Sequence, residues 1–347
     1  MRTLYDISWQ VDEPTYREGP ALSYSTLAKY ERSGFNGIST LADKVESPSL
    51  TFGSAVDAII TGGQEEFDKN FLVAHIIMPT PAALPIVKSL YENEHDSYQT
   101  IEDIPAETIG RYVTEFNYQP NWKLETRIRV IKEQGSSYFD TMHVANGRTI
   151  IDCDTYQDIQ NTVEALKTSN ATKFYFSPNN PFTPRFFREY QLKFKASFNN
   201  VNYKCMADLI ITDYENRIVY PIDLKTSSKP EWSFYKSFLE WNYDIQARLY
   251  WRIIRDNMDK DPYFEEFHLA PYTFIVANRK SLTPLVWKFE DTTAEGTLLY
   301  GKNKQLERRD PFIIGEELQY YLEQQPKVPK DIYIDTPNSI TQFLNNY

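Results

Sequence analysis

The strongest pattern of alternating apolar and polar residues lies in the middle of the chain. Residues 203–227 read YKCMADLIITDYENRIVYPIDLKTS, which is two alternating runs separated by the polar residues 213–216. Two such runs around a short polar turn are typical of a β-hairpin. The sequence therefore predicts two antiparallel strands here, and the candidate chemistry of the chain is concentrated at their ends.

The second strand of this hairpin carries a carboxylate and an ammonium group on one face. Because side chains alternate along a strand, Ile222 and Leu224 share one face, and Asp223 and Lys225 share the other. Asp208 lies on the preceding strand, where a hairpin of this length can bring its carboxylate close to that of Asp223. The pattern thus predicts two acids and a lysine in one small volume.

The same periodicities predict the elements around the hairpin. Helices are expected at 22–30, from Ser49 to a stop at Gly62 and Gly63, and at 107–116, 121–134, 155–169 and 238–257, and strands at 187–198, 271–280 and 281–290. Residues 1–20 are expected to form an extended arm, and the tail is helical in pattern at 298–309 and 315–325. The fold class predicted is α/β, with a mixed central sheet flanked by helices.

Asp208, Asp223 and Lys225 suggest a specific chemistry. Carboxylates a few ångströms apart repel each other unless they share a cation. Oxygen ligands of this kind suit Mg²⁺, with Mn²⁺ as an alternative. The lysine can orient a water or stabilise charge on a phosphate, which together with the metal is the chemistry of phosphodiester hydrolysis. The alternative is an ordinary ion pair at a strand edge, which contributes little.

These residues also resemble a known family. Asp208, followed by Asp223, Leu224 and Lys225, resembles the signature of the PD-(D/E)xK nucleases, and the run QARLY at 246–250 resembles the QxxxY motif of their RecB-type and exodeoxyribonuclease VIII-type branches. The segments 22–30 and 51–60 are similar to the opening segments of phage exonuclease VIII-like proteins. The resemblance covers roughly residues 20 to 290 and implies a restriction-endonuclease-like core with a helical N-terminal extension.

The resemblance assigns roles to residues that spacing alone leaves open. It implies catalytic roles for Asp208, Asp223, Lys225, Glu189, Gln246 and Tyr250, and metal ligation by Asp208, Asp223, the Leu224 carbonyl and Asp57, which stands where the family usually has histidine. Without it, Asp57 reads as an exposed helical aspartate, Glu189 as a surface acid and Tyr250 as a buried helical tyrosine. Glu189 shares the polar face of its predicted strand with Gln191, Lys193 and Lys195, where a site can use them.

DNA contacts are predicted just after the second strand of the hairpin and on the following helix. Thr226 and Ser227 offer hydroxyls and backbone amides to phosphates, and Lys229 and Arg248 offer charge. The net charge of −11 argues against a nucleic-acid partner, so binding is expected to depend on a local basic lining.

Composition narrows the class of protein further. The 347 residues are 41% hydrophobic and 15% aromatic, which is typical of a globular chain. No run of 18 apolar residues and no signal-peptide pattern is seen, so the expectation is a cytoplasmic protein without membrane contact, in the bacterial host cytoplasm if phage-encoded. The two cysteines, Cys153 and Cys205, are too few for a four-thiolate iron–sulfur cluster, so none is expected.

The sequence as a whole predicts a Mg²⁺-dependent DNA exonuclease that acts on linear duplex in phage-type recombination or DNA repair. The expected domains are an N-terminal arm and helical region at 1–150, a nuclease core at 151–295 and a helical tail at 296–347. A single-strand annealing protein and further copies of the chain are the expected partners. Two alternatives stay open: a structure-specific endonuclease with the same metal site, and a catalytically inactive DNA-binding or assembly module.

Overall fold

The structure is a computed structural model that describes residues 2–41, 47–180, 182, 185–290, 297–299 and 305–324. The described helices are α1 (Glu13–Glu18), α2 (Tyr24–Ser33), α3 (Pro48–Asn70), α4 (Leu84–Glu94), α5 (Ala106–Glu115), α6 (Leu124–Ala145), α7 (Cys153–Thr168), α8 (Phe234–Glu240), α9 (Tyr243–Asp259) and α10 (Pro311–Gln324). The strands are β1 (Phe71–Ala74), β2 (Thr149–Asp152), β3 (Phe186–Phe198), β4 (Val201–Asp213), β5 (Ile218–Ser227), β6 (His268–Leu269), β7 (Tyr272–Asn278), β8 (Leu285–Phe289), β9 (Thr297–Leu299) and β10 (Gln305–Glu307).

The central sheet has the strand order β3-β4-β5-β7-β8, with β6 paired to the start of β5. The hairpin partners β4 and β5 are antiparallel, β5 and β7 are parallel, and β7 and β8 are antiparallel. This mixed sheet with flanking helices confirms the α/β class and the hairpin. Strand β7 is buried at every position, as expected of a strand covered on both faces.

Two hydrophobic clusters cover the two faces of the sheet. On one face, α2, α9 and α10 pack against the sheet through residues such as Leu27, Ile253 and Ile314. On the other face, α3 and α7 pack through residues such as Val56 and Ile159. The candidate functional side chains come from β4, β5 and the helices on both faces.

The helices α4, α5 and α6 have a hydrophobic cluster of their own. They lie in the chain between β1 and β2, which pair in parallel as a separate two-stranded sheet. The sequence predicted α5 and the first part of α6, but it did not predict this small sheet. Strands of four residues with distant partners carry too little periodicity to be detected.

Two sequence-based expectations are wrong. The extended arm at 1–20 contains a 3₁₀ helix at Leu4–Ile7 and the helix α1, and Leu4 is fully buried in the main cluster. Of the helix expected at 298–309, the described parts form the antiparallel pair β9 and β10 instead. In both cases contacts with distant residues override a weak local pattern.

Other boundaries agree with the prediction. The helical pattern from Ser49 breaks at Gly63, whose φ of 73° is left-handed, and the chain then resumes a helical path to Asn70. Helix α10 covers the part of the expected 315–325 helix that the structure describes. Among the described residues, no helix is long and apolar enough to cross a membrane.

Helix α10 docks on the sheet at a glycine. A Cβ on Gly315 would lie 2.6 Å from Cε1 and 2.7 Å from Cζ of the fully buried Tyr203 ring. We expect Gly315→Ala to lower the free energy of unfolding by about 1–3 kcal/mol, because a packed ring must move. Urea denaturation measures this change.

Gly110 in α5 provides the matched control for this substitution. A Cβ there would find its nearest neighbour at 3.6 Å, an ordinary contact, so Gly110→Ala should stabilise the helix by about 0.5–1 kcal/mol. Equal effects at the two positions would contradict the close docking of α10.

Candidate active site

The site forms where the two hairpin strands stop pairing. The β4–β5 ladder ends at the pair Leu209 and Ile222, so Asp208 and Asp223 lie just beyond the last paired residues. The Leu224 N–H donates to Asp208 Oδ2 at 2.8 Å. A carboxylate thus satisfies a backbone donor of the neighbouring strand, and both aspartates are held at one point.

Asp223 is almost fully buried, with 1% of its surface exposed, and has two side-chain partners. Lys225 Nζ lies 2.5 Å from Asp223 Oδ2, and Gln246 on α9 donates from Nε2 to Asp223 Oδ1. The Lys225 ammonium also lies over the Tyr243 ring, 5.1 Å from its centroid. The ammonium is therefore fixed between a carboxylate and an aromatic face, both of which favour its charge.

Asp57 reaches the same place from the opposite side of the sheet. A Cβ on Gly53 would lie only 3.0 Å from Thr226 Oγ1, so glycine allows α3 to approach β5 closely. Asp57 follows one helical turn later, and its Oδ2 accepts from Gln191 Nε2 at 2.9 Å. Its Oδ1 is buried and has no hydrogen-bond partner in the described part of the chain.

Gln191 is the site residue whose role the sequence did not predict. It interrupts the β3–β4 ladder opposite Asp208, with a left-handed φ of 54°. Such interruptions re-aim a side chain and often lie beside active sites. Its position on the polar face of β3 was the only signal in the sequence, and that face also offered Glu189, Lys193 and Lys195.

Burial and neighbouring negative charge raise the pKa of two carboxyl groups in the site, those of Asp208 and Asp57. Desolvation, followed by the charges of Asp223 and Asp57, raises the pKa of Asp208 well above its ordinary value. Desolvation and then the charge of Asp223 raise the pKa of Asp57 to about 6. The cluster therefore carries unfavourable negative charge near neutral pH, which a bound cation can relieve.

Lys225 responds in the opposite direction. Desolvation lowers the pKa of Lys225, but the charges of Asp223, Tyr243 and Asp208 outweigh this and leave its pKa raised. The side chain is thus an ammonium at neutral pH. It can donate hydrogen bonds and stabilise negative charge, but it has no free lone pair with which to accept a proton.

Two of the predicted catalytic residues lie outside this cluster of side-chain contacts. The Glu189 carboxylate accepts from the backbone N–H groups of Leu4 and Tyr5, at 3.2 and 2.9 Å, and so holds the N-terminal 3₁₀ helix. Tyr250 is 7% exposed and packs edge-on against Tyr272, with ring centroids 6.2 Å apart. The structure gives Glu189 a structural role and places Tyr250 in the core, one helical turn after Gln246.

The predicted DNA-binding residues have mixed positions. Thr226 contacts α3 at Gly53, Ser227 Oγ accepts from the Lys229 N–H at 3.0 Å, and Lys229 Nζ pairs with Glu240 at 2.5 Å. Arg248 requires a correction: only 3% of its surface is exposed, and its guanidinium lies 5.8 Å from the Phe289 ring centroid. Burial in the core removes Arg248 from the surface that a DNA backbone can reach.

Metal ligation by Asp208, Asp223, Leu224 and Asp57 stays a prediction. Within the described ranges, no three His, Cys, Asp or Glu side chains converge closely enough to hold an ion as they stand. Each aspartate instead accepts from a protein donor: the Leu224 N–H, Lys225 with Gln246, or Gln191. Two buried aspartate oxygens of the described residues accept no hydrogen bond, Asp57 Oδ1 and Asp223 Oδ2, although the Lys225 ammonium lies beside the second.

Comparisons with known proteins add little to this geometry. No family model matches the chain, and no curated protein matches it. Among solved structures, the crystal structure of a putative exonuclease from Eubacterium rectale is similar with a TM-score of 0.40 and 12% identity, over 91% of this chain and 84% of that one.

Proposed function

We propose that this chain is a metal-dependent nuclease that hydrolyses phosphodiester bonds at the ends of linear DNA. The observation that carries the proposal is the contact of the buried Asp223 with the Lys225 ammonium where two strands diverge, with Asp208 on the neighbouring strand and Asp57 approaching from α3. Three mutually repelling carboxylates beside a fixed cation make a site that favours a divalent ion and a phosphate.

Oxygen donors of this kind suit Mg²⁺ in their chemistry, although no three of the described carboxylates converge on one point as they stand. Asp208, Asp223 and the Leu224 carbonyl would hold it, with Asp57 presenting its unpartnered Oδ1. When bound, such an ion polarises the phosphate and lowers the pKa of a water molecule. It would also offset the repulsion that raises the pKa of Asp57 and Asp208.

Lys225 supplies the positive charge that belongs to the protein itself. Because its pKa is raised, Lys225 acts as a hydrogen-bond donor that orients the attacking water and stabilises negative charge growing on the phosphate oxygens. Gln246 and Tyr243 position Lys225 and Asp223 through the contacts described above. Residues already held in place lose little freedom when the substrate binds.

Thr226 and Ser227 are the last two residues of β5, directly after Lys225, and Lys229 follows two residues beyond the strand. We propose that this segment contacts the phosphate backbone of the DNA, which is the expected partner. A single-strand annealing protein and further copies of this chain stay expectations from the family resemblance.

The direct test compares two DNA substrates of equal sequence, an end-labelled linear duplex and a covalently closed circle, each with Mg²⁺ or with EDTA. We expect loss of the linear DNA alone, and only with the metal. Cleavage of the circle would instead indicate a structure-specific endonuclease. No cleavage of either substrate with Mg²⁺ or Mn²⁺ would contradict the enzyme and favour a binding or assembly module.

Asp208→Asn is the matched variant for this assay. We expect it to reduce cleavage of the linear duplex at least about 100-fold, because it removes charge from a site that needs it. Asp259→Asn is the control, since Asp259 is a half-exposed acid paired with Arg255 on α9. Equal activity of the two variants would contradict the assignment of Asp208.

A further inference from the structure

An exposed tryptophan lies at the junction between α8 and α9, close to the candidate active site. Trp241 is 45% exposed, and the Arg32 guanidinium lies over its ring, 5.3 Å from the centroid. A large exposed aromatic side chain next to a cation is the combination with which proteins bind unpaired nucleotides, since every base has a face that can stack.

A short series of contacts joins Trp241 to Lys225. The Tyr24 hydroxyl donates to the Trp241 carbonyl at 2.7 Å, and the Tyr24 ring lies 6.2 Å from that of Tyr243. Lys225 Nζ in turn lies over Tyr243. Because α2 carries both Tyr24 and Arg32, one helix connects the exposed tryptophan with the centre of the site.

Two basic residues contact Trp241 or the residue before it, although the whole chain carries a net charge of −11. The Arg32 guanidinium lies over the ring, and Lys229 pairs with Glu240, the residue before Trp241. A local cationic lining of this kind suits a phosphate backbone. An aromatic face with one cation over it, and a second basic residue on the segment paired to Glu240, matches one nucleotide with its neighbouring phosphates.

We propose that Trp241 stacks on an unpaired base of the DNA strand that enters the site, while Arg32 and Lys229 contact the phosphates beside that base. The inference rests on the proposed function, because it takes the occupant of the site to be DNA. Stacking on an unpaired base further implies that a DNA end that is frayed or single-stranded binds more tightly than a fully paired end. Tyr24 and Tyr243 couple the position of this base to that of Lys225.

The test measures binding in EDTA, where hydrolysis that depends on a metal does not occur. Fluorescence anisotropy of a labelled duplex with a short single-stranded overhang measures the affinity of the full-length protein. The measurement is repeated on a series of duplexes in which one overhang nucleotide at a time lacks its base. The wild-type protein should lose affinity at one abasic position. Trp241→Ala should bind the intact overhang about tenfold more weakly and should show no further loss at that abasic position.

Two further variants separate stacking from folding. Trp241→Phe keeps an aromatic face and should stay within about threefold of the wild-type affinity. Trp122→Ala is the matched control, since Trp122 is 44% exposed but packs on Tyr118 beside α6, in the separate helical cluster. Its overhang affinity should not change.

Unchanged affinity of Trp241→Ala, or an abasic penalty that persists in it, would overturn the stacking proposal while leaving nuclease activity to be judged by the cleavage assay. If the abasic penalty disappears in Trp241→Ala but the wild-type protein cleaves nothing with Mg²⁺ or Mn²⁺, the binding inference stands and the proposed enzyme fails. A wild-type protein that binds no overhang would contradict the inference outright.

Discussion

Replacing Lys225 with methionine should reduce DNA cleavage at least about 1,000-fold. Methionine keeps much of the length of the side chain but removes the ammonium that lies 2.5 Å from Asp223 and over the Tyr243 ring. Removing one preorganised donor from a transition state typically costs a factor of about 10²–10³, and Lys225 also balances the charge of the carboxylates. The measurement is the initial rate on end-labelled linear duplex with Mg²⁺.

The same substitution should also affect stability. Without Lys225, the Asp223 carboxylate stays buried beside Asp208 and Asp57 with no cation, and breaking a buried pair from one side costs about 3–5 kcal/mol. The cost should be greatest at pH 8 and should decrease as the pH falls through the pKa of Asp57, about 6, since protonation of Asp57 removes one of the charges that repel Asp223. Urea denaturation at pH 8 and pH 5 measures both values.

Lys204→Met separates the catalytic effect from the structural one. Lys204 is another buried lysine, on the neighbouring strand β4, and its Nζ donates to the carbonyls of Tyr16 and Gly19 at 2.6 Å. Its loss leaves these carbonyls unpaired and should lower the free energy of unfolding by about 1–3 kcal/mol. The rate per folded molecule should stay near that of the wild type. A Lys225→Met rate within tenfold of the wild type would contradict the role of the ammonium.

Asp57→Asn should stabilise the protein above pH 6 while it reduces activity. An aspartate in an unfolded chain titrates near pH 4, whereas burial and Asp223 raise the pKa of Asp57 to about 6 in the fold. Between these values the folded state binds more protons than the unfolded state, so stability falls as the pH rises through this window. Above it the ionised Asp57 costs roughly 1–3 kcal/mol, and asparagine removes this cost.

The expected pH dependence of this gain is specific. Asparagine can still accept from Gln191, so the gain in the free energy of unfolding should be largest at pH 8 and fall to about half or less by pH 5. Asp68→Asn, an exposed acid on the same helix, should change stability by less than about 0.5 kcal/mol. A loss of stability at pH 8 in Asp57→Asn would show that the carboxylate is held by a favourable partner instead.

Opposite effects on stability and activity are the expected mark of a functional site. Carboxylates that repel one another lower the stability of the fold. Selection can retain them when their negative charge is needed for activity. A gain of stability with unchanged cleavage would place Asp57 outside the catalytic machinery. Lys225→Met removes the positive charge of the site and Asp57→Asn removes one of its negative charges. Together the two variants therefore test whether activity depends on both.

Much of the core of the site follows from local pattern. The period of two in residues 218–227 places Asp223 and Lys225 on one face of a strand, and the polar turn before it determines the hairpin that brings Asp208 alongside. Gly53 and Asp57 lie four residues apart, which puts them on one face of α3, although the family resemblance and not the spacing assigned Asp57 to the site. These features depend only on neighbours in the chain.

Tertiary structure decided the rest, because the deciding contacts join residues far apart in the sequence. Glu189 and Gln191 share one face of β3 and cannot be ranked by period, but Glu189 binds the backbone of Leu4 and Tyr5, whereas Gln191 binds Asp57. The sequence of α9 does not show whether Arg248 lies at the surface or in the core. Its packing against Phe289 decides this. Periodicity assigns a side chain to a face of its element, and only the packing of elements decides what that face meets.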